Sequence, residues 1–191
     1  VWSASRFMKL RSSWSEVLIF VVVFSAVATM LISVLFNEKL VALEGLIEEF
    51  FKEALQGENK PTVSASFLLG VSGYVIALTS VIALMLGRWW QSMLYNPGGF
   101  KLEFHQLRFS VTTSIIILTG IIFSEVVLHD YSSWSSLLSL PLMLSGIALL
   151  HYSVAFFQLG SYWLVVFYLA LLFLSPMSIM LVGMGVLDSI F

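Results

Sequence analysis

Arg88-Trp89-Trp90-Gln91-Ser92-Met93-Leu94-Tyr95-Asn96-Pro97-Gly98-Gly99-Phe100-Lys101-Leu102-Glu103-Phe104-His105-Gln106-Leu107-Arg108 is the densely polar stretch of a chain that is otherwise a series of long apolar runs. Indole rings prefer the lipid headgroup level and arginine snorkels there, so Arg88, Trp89 and Trp90 mark the point where an apolar run leaves a membrane. Asn96-Pro97-Gly98-Gly99 is a turn signal, because proline pre-sets one φ and glycine permits a positive one. After the turn, Phe100, Phe104 and Leu107 share one helical face, while Lys101, Glu103, His105 and Arg108 lie elsewhere. That spacing predicts a short surface helix leading into the next apolar run. Interface anchoring accounts for every residue type in the stretch. The alternative is a docking surface for a cytoplasmic protein partner, carried by Arg88, Trp89, Trp90, Asn96, Pro97, Gly98, Gly99, Phe100, His105 and Arg108.

Composition identifies the solvent of the rest. The 191 residues are 59% hydrophobic and 10% charged, against about 25% charged in a soluble domain. So few charges cannot cover a globular surface, and the mean hydropathy of +0.99 points to the lipid bilayer instead. A net charge of -2 without a basic block argues against nucleic-acid binding, which needs clustered Lys and Arg. The absence of cysteine excludes disulfides, thiolate metal sites and a cysteine nucleophile. The chain starts at Val1 just before a basic patch and reads as a fragment or a processed product.

Five apolar spans are expected around this stretch, at residues 17–36, 63–87, 109–128, 135–157 and 162–187, with 88–108 as a cytoplasmic loop. About 20 residues at 1.5 Å rise cross a ~30 Å hydrocarbon core. In the first span Ser25, Thr29 and Ser33 recur every fourth residue, and in the second Ser66, Gly70, Gly73 and Ala77 line one face. Both stripes suit close helix packing. In the last span Pro176 predicts either one kinked span or two half-helices. Residues 38–56 read differently. Leu40, Leu43, Ile47, Phe50 and Ala54 form an apolar stripe among glutamates, with Asn37 as N-cap and Gly57 as stop. This amphipathic helix is expected on the outer side, as an interfacial connector or as a lid over a cavity. Arg6, Lys9 and Arg11, then Arg88, Lys101 and Arg108, place both groups on the cytoplasmic side. Five spans put the C-terminus outside, whereas a re-entrant pair broken at Pro176 puts it inside.

Ionisable groups at membrane depth are functional candidates by default. His151 and Glu125 are the two here, as a ligand or proton site. The bland alternatives are an interhelical hydrogen bond for His151 and outward snorkelling for Glu125. No catalytic residues emerge. HExxH, GxSxG and Walker A patterns are all absent, and the adjacent carboxylates Glu48 and Glu49 belong to a solvated face. No cofactor or metal is expected.

Taken together, three groups carry a family resemblance: Arg88-Trp89-Trp90-Gln91, Leu94-Tyr95-Asn96-Pro97-Gly98-Gly99-Phe100, and Glu103-Phe104-His105-Gln106-Leu107-Arg108. Arg11-Ser12-Ser13-Trp14, Gly146 to His151, Tyr162-Trp163-Leu164 to Tyr168, and Gly185-Val186-Leu187-Asp188-Ser189 fit the same pattern. The chain resembles the proteobacterial branch of the YybS-like membrane proteins, a family of unknown function. Members carry further apolar segments before the point that corresponds to Val1, and commonly a basic tail after the Asp-Ser pair. The family is distantly similar to the S components of energy-coupling-factor transporters. The resemblance implies a multi-pass protein of the bacterial inner membrane, possessing one integral membrane domain over 1–191 and lacking its N-terminal spans. The expected role is an S-component-like small-molecule transport or binding subunit, with its ligand in the outer half of the bundle. The alternative is a non-transporting scaffold or assembly protein that docks a cytoplasmic partner through 88–108. Neither role is enzymatic. The expected fold class is all-α: a polytopic transmembrane helical bundle of about five spans plus one amphipathic interfacial helix.

Overall fold

The computed structural model describes residues 13–54, 64–127, 133–174 and 176–191. The basic residues Arg6, Lys9 and Arg11 and the expected stop at Gly57 lie outside these residues. The described residues form eight helices: α1 (Trp14–Leu35), α2 (Asn37–Ala54), α3 (Ala65–Tyr95), α4 (Gly99–His105), α5 (Val111–Val126), α6 (Ser133–Phe156), α7 (Tyr162–Phe173) and α8 (Pro176–Ile190). The fold is all-α, as expected.

Three helices, α1, α3 and α6, are long and apolar enough to cross a membrane. The count is three, or four if the bent pair α7 and α8 is one span, beside the about five expected. Helix α5 has 16 residues, about 24 Å at 1.5 Å per residue, and falls short of a ~30 Å core. Residues 162–187 fall in two helices, α7 and α8, bent by 120° relative to one another, which is either a broken span or a re-entrant pair. Pro176 opens α8, where a missing N–H costs nothing.

The second expected span ended at residue 87, but α3 continues without a break through Tyr95. Its 31 residues reach about 46 Å, roughly 16 Å more than the hydrocarbon core needs. The expected cytoplasmic loop is thus mostly helix: the end of α3, a tight turn, and α4. Local sequence explains the other boundaries. Ser64 and Ser110 cap α3 and α5 by accepting hydrogen bonds from the backbone N–H groups of Phe67 and Thr113, each at 3.2 Å. Asn37 is not the N-cap of α2. It lies inside the helix, because Phe36 already accepts the first bond, from the Leu40 N–H at 3.0 Å. Helix α6 stops through Gln158, whose φ of 53° is left-handed, with the Leu159 N–H bonded back to the Val154 carbonyl at 2.9 Å.

Packing centres on α6, which touches α1, α3, α4, α5, α7 and α8. Its turns from Leu140 to Ala148 are almost wholly buried. The small-residue stripes do bring backbones together. Ser25 and Thr29 of α1 and Gly70, Gly73 and Ala77 of α3 are buried. A Cβ built on Gly73 would sit 3.0 Å from Thr29 Oγ1 and 3.3 Å from Leu137 Cδ2, so a larger residue would have to push these side chains back by a few tenths of an ångström. The closest crossing joins α6 and α8: Gly146 lies against the Leu181 backbone and Gly185 against the Leu142 backbone. Hydroxyls are buried here while large apolar side chains face outward. Ser145 is 0% exposed, whereas Val34 is 78% exposed. In water that distribution would be unfavourable; in lipid it is the expected one.

The chain ends fall into two groups. Trp14 at the start of α1, Arg88 in α3 and Glu103 in α4 meet at one end of the bundle, called here the Arg88 end. Asp188 lies 3.9 Å from Arg108, and Ser189 shares a hydrogen bond with Ser114 in the first turn of α5. Helix α8 therefore returns toward the end from which α7 departs, as a re-entrant pair does. Helix α2 sits at the opposite end and leaves Val41, Leu43, Leu46 and Phe50 exposed.

Candidate functional site

The stretch after Arg88 folds into a braced corner. Pro97 and Gly98 occupy the middle of a turn closed by the Gly99 N–H on the Asn96 carbonyl at 2.9 Å. Gly98 has φ 85°, the left-handed value that this turn type requires at its third residue. Ser92 is buried beneath the turn. Its Oγ donates to the Asn96 carbonyl at 2.8 Å and accepts from the Phe100 N–H at 2.9 Å. A Cβ at Gly99 would run into the Asn96 side chain, 3.0 Å from its Cγ. Local chemistry alone thus reverses the chain and lays α4 across the bundle end.

An ion pair then holds α4 to α3. Arg88 Nε donates to Glu103 Oε2 at 2.8 Å, Arg88 Nη2 donates to Glu103 Oε1, and Arg88 Nη1 donates to Gln91 Oε1 at 2.8 Å. Trp14 Nε1 donates to the same Glu103 carboxylate at 3.4 Å, which ties in α1. The hydrogen bonds from Arg88, helped by its charge and by the Trp14 indole, hold the Glu103 carboxyl below the usual carboxylate range, against the opposing effect of burial. The aromatic face of α4 points inward, as its spacing predicted. Phe100 meets Trp14 edge-on at 6.0 Å and stacks on Phe104 at 5.9 Å. Leu107 and Phe109, just beyond α4, are buried.

Behind α4 lies an open chamber of about 570 Å³, between the ends of α3 and α6 and the start of α7. Met85, Phe100, Phe104 and Leu164 supply much of its apolar wall. Its polar groups include Lys101, His105, His151, Ser92, Ser161 and Tyr168, and among the described residues no aspartate or glutamate lines it. His151 Nε2 and the Tyr168 hydroxyl share a hydrogen bond of 2.8 Å, and the His151 ring meets Phe104 edge-on at 5.6 Å. His105 packs against Tyr152 at 5.9 Å. Burial, and then the Lys101 charge, push the His105 imidazole below its ordinary pKa.

Of the two expected ligand or proton residues, the chamber contains His151 alone. Glu125 accepts a hydrogen bond from Ser135, near the start of α6. Ser135 and His151 are separated by 16 residues of one helix, about 24 Å. Glu125 and His151 therefore form no acid–base pair, since such partners must reach one another within hydrogen-bond range. The chamber lies at the Arg88 end of the bundle, whereas a ligand was expected in the outer half. Of the expected interface residues, Gly98, Phe100 and His105 line the chamber with Trp89, while Arg88, Asn96, Pro97 and Gly99 build the corner. Trp90 points away and is exposed, and Arg108 turns to Asp188.

Sequence reasoning missed Tyr168, Glu103, Ser92 and Lys101. Glu103 had a local signal, an acid on the far side of a tight turn from Arg88. Tyr168 had none, because it reaches His151 from another helix. Among the described residues, no group of three His, Asp or Glu is placed to hold a metal ion. No family model matches the chain, and no curated protein or solved structure resembles it significantly.

Proposed function

We propose that this chain is the membrane domain of a multi-pass bacterial inner-membrane protein of the YybS-like type, and that it binds a small molecule in the chamber behind α4. The role is non-enzymatic: a binding or transport subunit, comparable to the S components of energy-coupling-factor transporters. Basic residues mark the cytoplasmic face, so the chamber is reached from the cytoplasm or the inner leaflet. The observation that carries the proposal is the chamber itself. About 570 Å³ falls within the 300–1,000 Å³ of small-molecule sites, and a mostly apolar wall with a few convergent polar groups is their usual make-up.

The test is a thermal-shift panel of metabolites on the purified chain in detergent, repeated with Leu164→Trp, which fills the chamber. A saturable rise in melting temperature that the tryptophan variant loses is the expected result. A panel with no shift, or shifts that Leu164→Trp leaves intact, sinks the proposal.

A second reading rests on a different observation. Trp90, Leu94 and Tyr95 are 63%, 76% and 83% exposed on the part of α3 that outruns a bilayer span. Such a face suits a scaffold protein docking a cytoplasmic partner. A photocrosslinker at residue 90 that captures a defined protein in membranes favours this reading; capture of lipid alone removes it.

A further inference from the structure

The charge pattern of the chamber narrows what it takes. Lys101 lines it, and among the described residues Lys101 has no ion-pair partner. The nearest acid in sequence, Glu103, is consumed by Arg88 and does not line the chamber. His105 stands one turn from Lys101 on α4 and adds an imidazole N–H to the same rim. Much of the remaining lining is apolar and aromatic: Phe100 and Phe104 beside them on α4, Met85 on α3 and Leu164 on α7. A cation in a site without acids attracts an anion, and aromatic walls bury an apolar body. A cation would face Lys101 with no aspartate or glutamate among the described lining residues to balance it.

We propose that the chamber accommodates an amphipathic anion, with its single negative group at Lys101 and His105 and its apolar body against Phe100, Phe104, Met85 and Leu164. This rests on the small-molecule reading above and specifies the ligand class. Two sources share this chemistry: an anionic lipid of the inner leaflet and a water-soluble apolar acid.

Two probes of similar shape separate charge from apolarity: 1-anilinonaphthalene-8-sulfonate, and the neutral N-phenyl-1-naphthylamine. Each is titrated onto the full chain in phosphatidylcholine nanodiscs, with melting temperature as readout. The sulfonate is expected to bind at least tenfold tighter than the neutral probe. Lys101→Gln removes one charge-assisted contact and weakens sulfonate binding on the order of tenfold, with neutral-probe binding unchanged. Lys39→Gln, at the opposite end of the bundle, serves as a charge control and changes neither. Nanodiscs containing phosphatidylglycerol assign the source. If that lipid raises the melting temperature and competes with the sulfonate, and both effects vanish in Lys101→Gln, the anion is a lipid. If the sulfonate binds and phosphatidylglycerol does not compete, it is a soluble acid. Equal binding of the two probes, or a Lys101→Gln variant indistinguishable from the parent, overturns the anion assignment while leaving the chamber as a binding site. If neither probe nor the lipid shifts the melting temperature, the chamber reading itself falls.

Discussion

Replacing Gly146 by alanine tests the packing on which the bundle depends. A Cβ at this position would lie 2.9 Å from the Leu181 carbonyl carbon and 3.1 Å from its Cα, and nearer still to the carbonyl oxygen. Ordinary contact begins at 3.4 Å, so the carbon contact alone asks for a shift of about half an ångström, and the oxygen asks for more. The obstacle is backbone on α8, which no rotamer change can move. Gly185→Ala meets the same difficulty from the other side, 3.1 Å from the Leu142 carbonyl carbon and 3.3 Å from the Gly146 nitrogen. Overpacking of this kind costs about 1–3 kcal/mol, and a backbone obstacle belongs at the upper end. For a chain of this length that corresponds to a melting temperature lowered by about 6–12 °C. Gly183→Ala is the internal control. Nothing lies within 4 Å of its Cβ, and alanine is the better helix former by roughly 0.5–1 kcal/mol. It should melt at or slightly above the parent. The double variant Gly146→Ala with Gly185→Ala should cost less than the sum, because one displacement of α8 relieves both contacts. The assay is circular dichroism at the helix band, in detergent and again in nanodiscs. Gly146→Ala and Gly185→Ala melting together with Gly183→Ala would refute the close crossing.

Glu103 makes stability depend on acid. Its folded pKa is depressed, so its contribution is present above the unfolded value of about 4.3 and is lost as pH falls through the lower folded value. The parent should lose stability below pH ~4.3, and Glu103→Gln should show a shallower fall over that window in melting curves taken at stepped pH. Ser92→Ala leaves the Phe100 N–H and the Asn96 carbonyl without their bridge and should cost about 1–2 kcal/mol by chemical denaturation. If Ser92→Ala costs nothing, Ser92 does not brace the turn. Tyr168→Phe removes the partner of His151 and should cost about 0.5–1.5 kcal/mol. A histidine ring signal that stays unchanged in that variant by NMR argues against the bond.

Much of this architecture is written locally. A charge content of 10% and apolar runs of about 20 residues select lipid as solvent and helix as the only economical way through it. The turn at 96–99 follows from Pro97 and Gly98 whatever surrounds them. The small residues Ser25, Thr29, Gly70, Gly73 and Ala77 announce buried faces, because only small side chains let two helices meet backbone to backbone. The inward aromatic face of α4 was also legible from its spacing. These features depend on residues within a single helix or turn, and that is the range over which sequence pattern is informative.

What the sequence left open depends on how separate helices meet. A uniformly apolar helix such as α7 carries no mark of which side faces a neighbour, so the bond between Tyr168 and His151 could not be anticipated. The length of α3 was underestimated because Arg88 looks like a boundary, whereas its charge is satisfied by Glu103 and the helix runs on. The separation of Glu125 from His151, and the return of Asp188 to Arg108 after the bend at Pro176, are likewise products of packing. The chamber is the clearest case. Its residues come from α3, α4, α6 and α7 and the links between them, and each alone reads as a membrane-interface or core residue. Local preference could name the helices and the corner. Only their assembly around α6 decided which side chains enclose a common space.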